Sequence, residues 1–183
     1  MQLIGRLACV LGMGMLAVPL SAQDTRDRFL TAAIGLSSSR GGDFVERDTY
    51  SADVLLGARL NASPRKTWIV GATAGGAFRG GNNLTCAIRP GGECAATMPS
   101  VGFAGATAGF EVGGRVATLM LLAGPVVALT TEQATFAIVL RADLSVFVVK
   151  RAALVLSARN LTVPNLLGMS TNVHSLGVGL RLW

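Results

Sequence analysis

The chain runs to 183 residues, 51% of them hydrophobic and only 14% charged, with 23 glycines and a formal net charge of +6. A soluble domain carries about 25% charged residues, so an ordinary cytosolic domain is excluded, and the abundance of aliphatic residues excludes a disordered chain. The length fits a single domain.

Residues 1–22 read as a cleavable signal peptide. Arg6 is the only charge, Leu7–Leu20 is apolar, and Ser21-Ala22 supplies small residues before Gln23. The apolar stretch falls short of the ~20 residues of a spanning helix. Cleavage leaves residues 23–183 as one mature domain. Its basic excess is scattered, without the Lys/Arg clusters and interleaved aromatics of a nucleic-acid surface, so no nucleic-acid partner is expected.

Past residue 28 eight apolar-rich segments follow, at 29–37, 50–60, 67–78, 100–112, 115–130, 134–149, 153–162 and 172–183. Several alternate with the period of two that marks a strand with unlike faces. In the first, Leu30, Ala32, Ile34 and Leu36 alternate with Thr31, Ala33, Gly35 and Ser37. In the second, Ala52, Val54, Leu56 and Ala58 oppose Ser51, Asp53, Gly57 and Arg59. The fourth is mostly Gly and Ala, and its faces cannot be assigned. Pro125 in the fifth removes a ladder donor, so a bulge or local kink is expected there. The sixth sets Phe136, Ile138, Leu140, Ala142, Leu144 and Val146 against Arg141, Asp143 and Ser145. The last sets Leu176, Val178, Leu180 and Leu182 against Ser175, Gly177, Gly179 and Arg181.

Composition assigns the faces. A water-facing surface is rich in Lys and Glu, whereas these polar faces are mainly Gly, Ala, Ser and Thr with a few Arg and Asp, as suits the narrow lumen of eight strands. The aliphatic face then meets lipid. Asp53, Arg59, Arg141, Asp143, Arg159 and Arg181 all lie opposite the aliphatic stripe of their own strand. Each Arg turned to lipid costs up to ~2–4 kcal/mol near mid-membrane, so the six are expected to pair inside the lumen. The expected fold is all-β, an eight-stranded antiparallel up-and-down transmembrane barrel.

Connections at 38–49, 79–99 and 163–171 are expected to be long outer loops, with Thr131–Gln133 too short to match. Inner turns are expected at Asn61–Lys66, Gly113-Gly114 and Lys150-Arg151. Cys86 and Cys94 flank a Pro-Gly-Gly turn and are expected to close a disulfide in the second outer loop, since C-x7-C without a nearby His is a poor metal site. Phe29, Tyr50, Trp68, Phe78, Phe103, Phe110, Phe136, Phe147 and Trp183 fall near segment ends, where aromatic girdles sit.

The terminal run Ser175, Gly177, Leu180, Leu182 and Trp183 resembles the C-terminal assembly signal of bacterial outer-membrane barrels, with Trp183 one step out of phase with the leucines. With the leader and the eight-strand meander, the mature chain resembles small barrels of the OmpA/OmpX type. The resemblance implies residence in the bacterial outer membrane, delivery by the outer-membrane insertion machinery, and a structural or surface-interaction role as a monomer. An open pore is not expected, because side chains fill an eight-stranded lumen. A carrier of small hydrophobic molecules is the alternative, the glycine-rich strands at 71–76 and 102–109 loosening the wall. A lipid-modifying enzyme is less favoured. The one histidine, His174, has Ser175 on the opposite face of its strand, and the His-x-Ser arrangement of lipid A deacylases is absent. His174 is therefore expected to be an interfacial polar residue and the protein not an enzyme. No HExxH, P-loop or CxxC motif appears, and no cofactor is expected.

Overall fold

The computed structural model describes residues 28–41, 44–60, 66–78, 87–88, 94–95, 100–131, 133–166 and 169–183. The expected signal peptide and Cys86 lie outside them, as does the Cys94 side chain. Among the described residues there are ten strands: β1 (Arg28–Gly41), β2 (Phe44–Leu60), β3 (Lys66–Phe78), β4 (Ala87–Ile88), β5 (Cys94–Ala95), β6 (Val101–Gly113), β7 (Ala117–Leu129), β8 (Ala134–Val149), β9 (Ala152–Leu166) and β10 (Met169–Leu182). The two-residue strands β4 and β5 pair only with each other; the other eight form a closed antiparallel barrel in which each strand pairs with its neighbours in sequence and β1 pairs with β10.

The register fixes the strand tilt. From Ser38 the row of cross-strand partners passes through His174, Asn160, Leu140, Ala123, Ala108, Val70 and Ala58, and returns to β1 at Arg28, ten residues lower. A shear of ten on eight strands inclines them by roughly 40° to the barrel axis. Closure brings glycine against glycine at Gly35 and Gly177: a Cβ on Gly35 would stand 2.1 Å from the Leu176 carbonyl oxygen, and one on Gly177 2.6 Å from that of Ile34. At the inner turn joining β6 to β7, Gly113 has φ +147°, a conformation only glycine adopts without strain.

The alternation resolves as the composition argument requires. Ile34, Leu56, Leu140, Leu144, Leu176, Val178 and Leu180 are exposed on the outer wall, while Asp53, Arg141, Asp143, Arg159 and Arg181 are buried inside. Two apolar clusters also fill the interior. One, including Val101, Phe103, Val126, Val139, Leu161 and Val173, lies toward the outer ends of the strands. The other, Phe29, Leu55, Ile69, Met120 and Leu122 with Trp183 packed against it, lies toward the inner ends.

Three expectations need correction. The segments 38–49 and 163–171 are not loops for most of their length. β1 and β2 stay paired up to Gly41 and Phe44, and β9 and β10 up to Leu166 and Met169. Above the membrane the outward stripe of aliphatic side chains gives way to Arg40, Thr162 and Asn172, so the period-two signal stops before the ladder does. The girdle is smaller than expected, because position near a strand end sets height and not facing. Tyr50, Trp68, Phe78 and Phe136 are exposed outside, whereas Phe29 and Phe103 are buried in the lumen and Phe147 stacks on Trp183 at 5.3 Å. Pro125 makes no bulge. The β7–β8 ladder runs through it, and the β6–β7 ladder skips from Gly105↔Val126 to Ala108↔Ala123 without a change of register. The ring costs two rungs on the β6 side and nothing in alignment.

Candidate functional site

One polar network runs through the barrel interior. Arg59 lies on β2 with Asp53, and its Nη2 is 2.6 Å from Glu111 Oε2 on β6. The other Glu111 oxygen accepts from Arg181 Nη1 on β10 at 2.8 Å and from the Thr118 hydroxyl at 2.8 Å. Arg181 Nε donates to Thr31 Oγ1 at 3.1 Å, and Nη2 reaches Asp143 Oδ2 at 3.4 Å. Asp143 in turn accepts from Arg141 Nε at 2.9 Å, and Arg141 Nη1 donates across the lumen to Asp53 Oδ2 at 2.8 Å. Arg159 closes the series 3.6 Å from the same Asp53 oxygen, with its Nη2 donating to Ser175 Oγ at 2.9 Å.

Four arginines therefore meet three carboxylates. Direct cross-strand neighbours Arg141 and Arg159 share Asp53 between them, which offsets the repulsion of like charges placed opposite each other. Aromatic faces take up the remaining positive charge: Arg159 lies 4.5 Å from the Phe103 ring centroid and Arg181 4.8 Å from that of Phe29. The contacts join β2 to β8 and β6 to β10, strands that are not neighbours in the sheet. They brace the wall from inside. Chemically the arrangement offers no nucleophile with a base, and the pocket beside Asp53 and Arg159 measures about 10 Å³, room for about one water.

The six lumen residues named from sequence all belong to this network. Glu111 was missed, because its Gly/Ala-rich strand hid its faces. A usable signal existed: Phe103, Thr107 and Glu111 share a parity, and a lone carboxylate in an otherwise uncharged segment belongs inside. Among the assembly-signal residues, Leu180 and Leu182 face outward. Gly177 meets Gly35 across the closure seam. Trp183, out of phase in sequence, turns inward and lies 5.6 Å below the Arg59 guanidinium.

The packed interior predicts a closed barrel. In a planar bilayer the wild-type protein is expected to give no single-channel steps. Asp53→Ala with Arg141→Ala, which empties the middle of the network, is the variant expected to begin leaking ions. Steady conductance by the wild type would contradict the packing described.

The outer hairpins form the second candidate surface. β2, β1, β10 and β9 are consecutive around the barrel and are the strands that continue outward. Together they make a four-stranded sheet rising beyond the outer aromatic ring of Tyr50, Phe78 and Phe136.

No protein-family model matches the chain, and no curated protein matches it. Among solved structures it is similar to Neisserial surface protein A, at 12% identity and a TM-score of 0.60, over 85% of this chain and 96% of that one. It is also similar to Ail, the attachment invasion locus protein of Yersinia pestis, at 12% identity and a TM-score of 0.51, over 85% of this chain and 97% of that one. The shared feature is the fold, that of small eight-stranded outer-membrane barrels. With a wall of exposed aliphatic side chains and the charges of the spanning strands paired in the interior, the chain is built to reside in a lipid bilayer.

Proposed function

We propose that this protein is a monomeric surface barrel whose outer hairpins, rather than its lumen, meet partners outside the cell. The observation that carries this reading is the four-stranded outer sheet, which continues the ladder of β1, β2, β9 and β10 beyond the aromatic ring. Paired backbone holds a surface in one shape at little entropic cost on binding. The filled lumen favours the same reading, since it leaves no room for passage through the barrel. Export by residues 1–22, insertion guided by Gly177, Leu180, Leu182 and Trp183, and a Cys86–Cys94 bridge in the loop between β3 and β6 belong to this proposal.

The carrier alternative has less support. β3 and β6 pair without interruption from Lys66↔Val112 to Ala77↔Val101, so the glycines of those strands leave their shared seam intact.

Epitope tags test the topology. A tag at positions 42–43 or 167–168 is expected to be reached by antibody on intact cells, and one at Lys150-Arg151 only after the outer membrane is opened. The reverse pattern would overturn the reading. Reduction of the cysteines is expected to speed proteolysis between residues 79 and 99 while the heat-dependent gel shift of the barrel stays unchanged. Loss of that shift on reduction would place the bridge somewhere other than a loop.

A further inference from the structure

Sequence adjacency pairs His174 with Ser175 through the wall, but the barrel register gives it different neighbours along the wall. His174 lies directly opposite Ser38 of β1 on one side and Asn160 of β9 on the other. All three side chains share the outer, lipid-facing parity of their strands, and all three line one groove of about 950 Å³. Direct cross-strand partners stand with Cβ atoms about 4.5–5.5 Å apart, a gap that serine and histidine bridge by choice of rotamer. The order is nucleophile, base, amide: the histidine sits between the hydroxyl it would deprotonate and the group that would orient its ring. Asn160 Oδ1 is buried without a hydrogen-bond partner among the described residues, so an acceptor stands ready for an imidazole N–H.

The groove and its height supply the rest. It follows two adjacent rows of outward residues from β1 to β6, five interstrand steps or roughly 24 Å. Along it Ala108, Ala123, Ala142 and Ala158 replace the bulky side chains found elsewhere on the wall. Each step of a row round this tilted barrel descends about 3 Å. Ser38 therefore lies level with the outer aromatic ring, and His174 and Asn160 lie just beneath it, at the depth where ester carbonyls join acyl chains to headgroups. Exposed Arg40, two residues above Ser38 on the same face, offers a cation to an anionic headgroup. An ionisable side chain facing lipid is costly, and such residues mark functional sites.

We propose that Ser38, His174 and Asn160 form a wall-mounted site that hydrolyses acyl esters of outer-leaflet lipids, with the acyl chain lying in the groove. Ser38 Oγ adds to the ester carbonyl carbon as its proton passes to His174. The carbon–oxygen bond to the alcohol breaks, and the departing oxygen takes that proton. Water then attacks the acyl-serine, giving a proton to His174, which returns it to Ser38 as the fatty acid leaves. Asn160 is a positioning residue for the imidazole. The three reacting and positioning groups lie at or below the aromatic ring and only Arg40 belongs to the outer hairpins, so ester hydrolysis and partner binding by the hairpins can fail independently.

The mature chain in phosphatidylethanolamine/phosphatidylglycerol vesicles, and separately in vesicles containing lipopolysaccharide, is expected to release free fatty acid from at least one. A fluorophosphonate probe is expected to label Ser38. Ser38→Ala and His174→Gln should each lower release at least about 100-fold with the heat-dependent gel shift intact, whereas the lumen variant Ser157→Ala keeps it. Asn160→Ala should lose about tenfold and Asn160→Asp recover most of it, which a purely structural role would not produce. Release from phospholipid alone or lipopolysaccharide alone identifies the lipid source. No release from either, or release unchanged in Ser38→Ala, overturns the proposal.

Discussion

Ile34→Arg is expected to destabilise the folded protein by about 2–4 kcal/mol, and Leu182→Arg by only about 0–1 kcal/mol. Ile34 is 69% exposed on the outer wall, opposite Val178 in the middle of the aliphatic belt. Leu182 has the same facing but lies at the inner rim, where a long side chain reaches the headgroups. The contrast depends on depth in a bilayer, so it separates a lipid-facing wall from a water-facing one. Urea unfolding in phospholipid vesicles, followed by tryptophan fluorescence, reads the difference. Equal small effects at both positions would mean that the wall is wet.

Asp143→Ala is expected to cost about 3–5 kcal/mol, the range for removing one member of a buried ion network. Asp143 is 0% exposed and faces two arginines, Arg141 and Arg181, neither of which can turn to water. The loss is dominated by the guanidinium groups left behind. Replacing Asp143 and Arg141 together with Leu and Met should therefore restore part of the stability lost by the single change. The same unfolding assay measures both variants. A single variant as stable as the wild type would mean that water reaches the network.

The two predictions rest on features that differ in how clearly the sequence shows them. Alternation was legible wherever the two faces of a strand differ in chemistry. Alternation separated the faces, and the composition of the polar face then assigned Ile34 and Val178 to lipid and Arg141, Asp143 and Arg181 to the lumen. It failed in three physical situations. In β6, glycine and alanine on both faces erased the contrast and hid Glu111. Above the membrane the outward faces are polar, with Arg40, Thr162 and Asn172 where the aliphatic stripe would run, so the continuations of β1, β2, β9 and β10 looked like loops. Aromatic position indicated height along the axis, while facing followed from parity; by that criterion Phe29, Phe103, Phe147 and Trp183 share the inward phase of Thr31, Thr107, Ser145 and Arg181. The wall constellation was beyond reach for a different reason. Ser38, His174 and Asn160 become neighbours only once the shear is fixed, and one residue of slip in either seam would separate them.

The central claim is that aliphatic side chains touch acyl tails while the interior is shielded from them. Quenching by lipids brominated in the acyl chain tests it with single-tryptophan proteins refolded in vesicles. Tryptophan introduced by Ile34→Trp, in a background of Trp68→Phe and Trp183→Phe, is expected to be strongly quenched. Native Trp183, studied after Trp68→Phe and stacked against Phe147 inside the barrel, is expected to keep its emission. Strong quenching of Trp183 with none at position 34 would contradict the orientation of every strand described here.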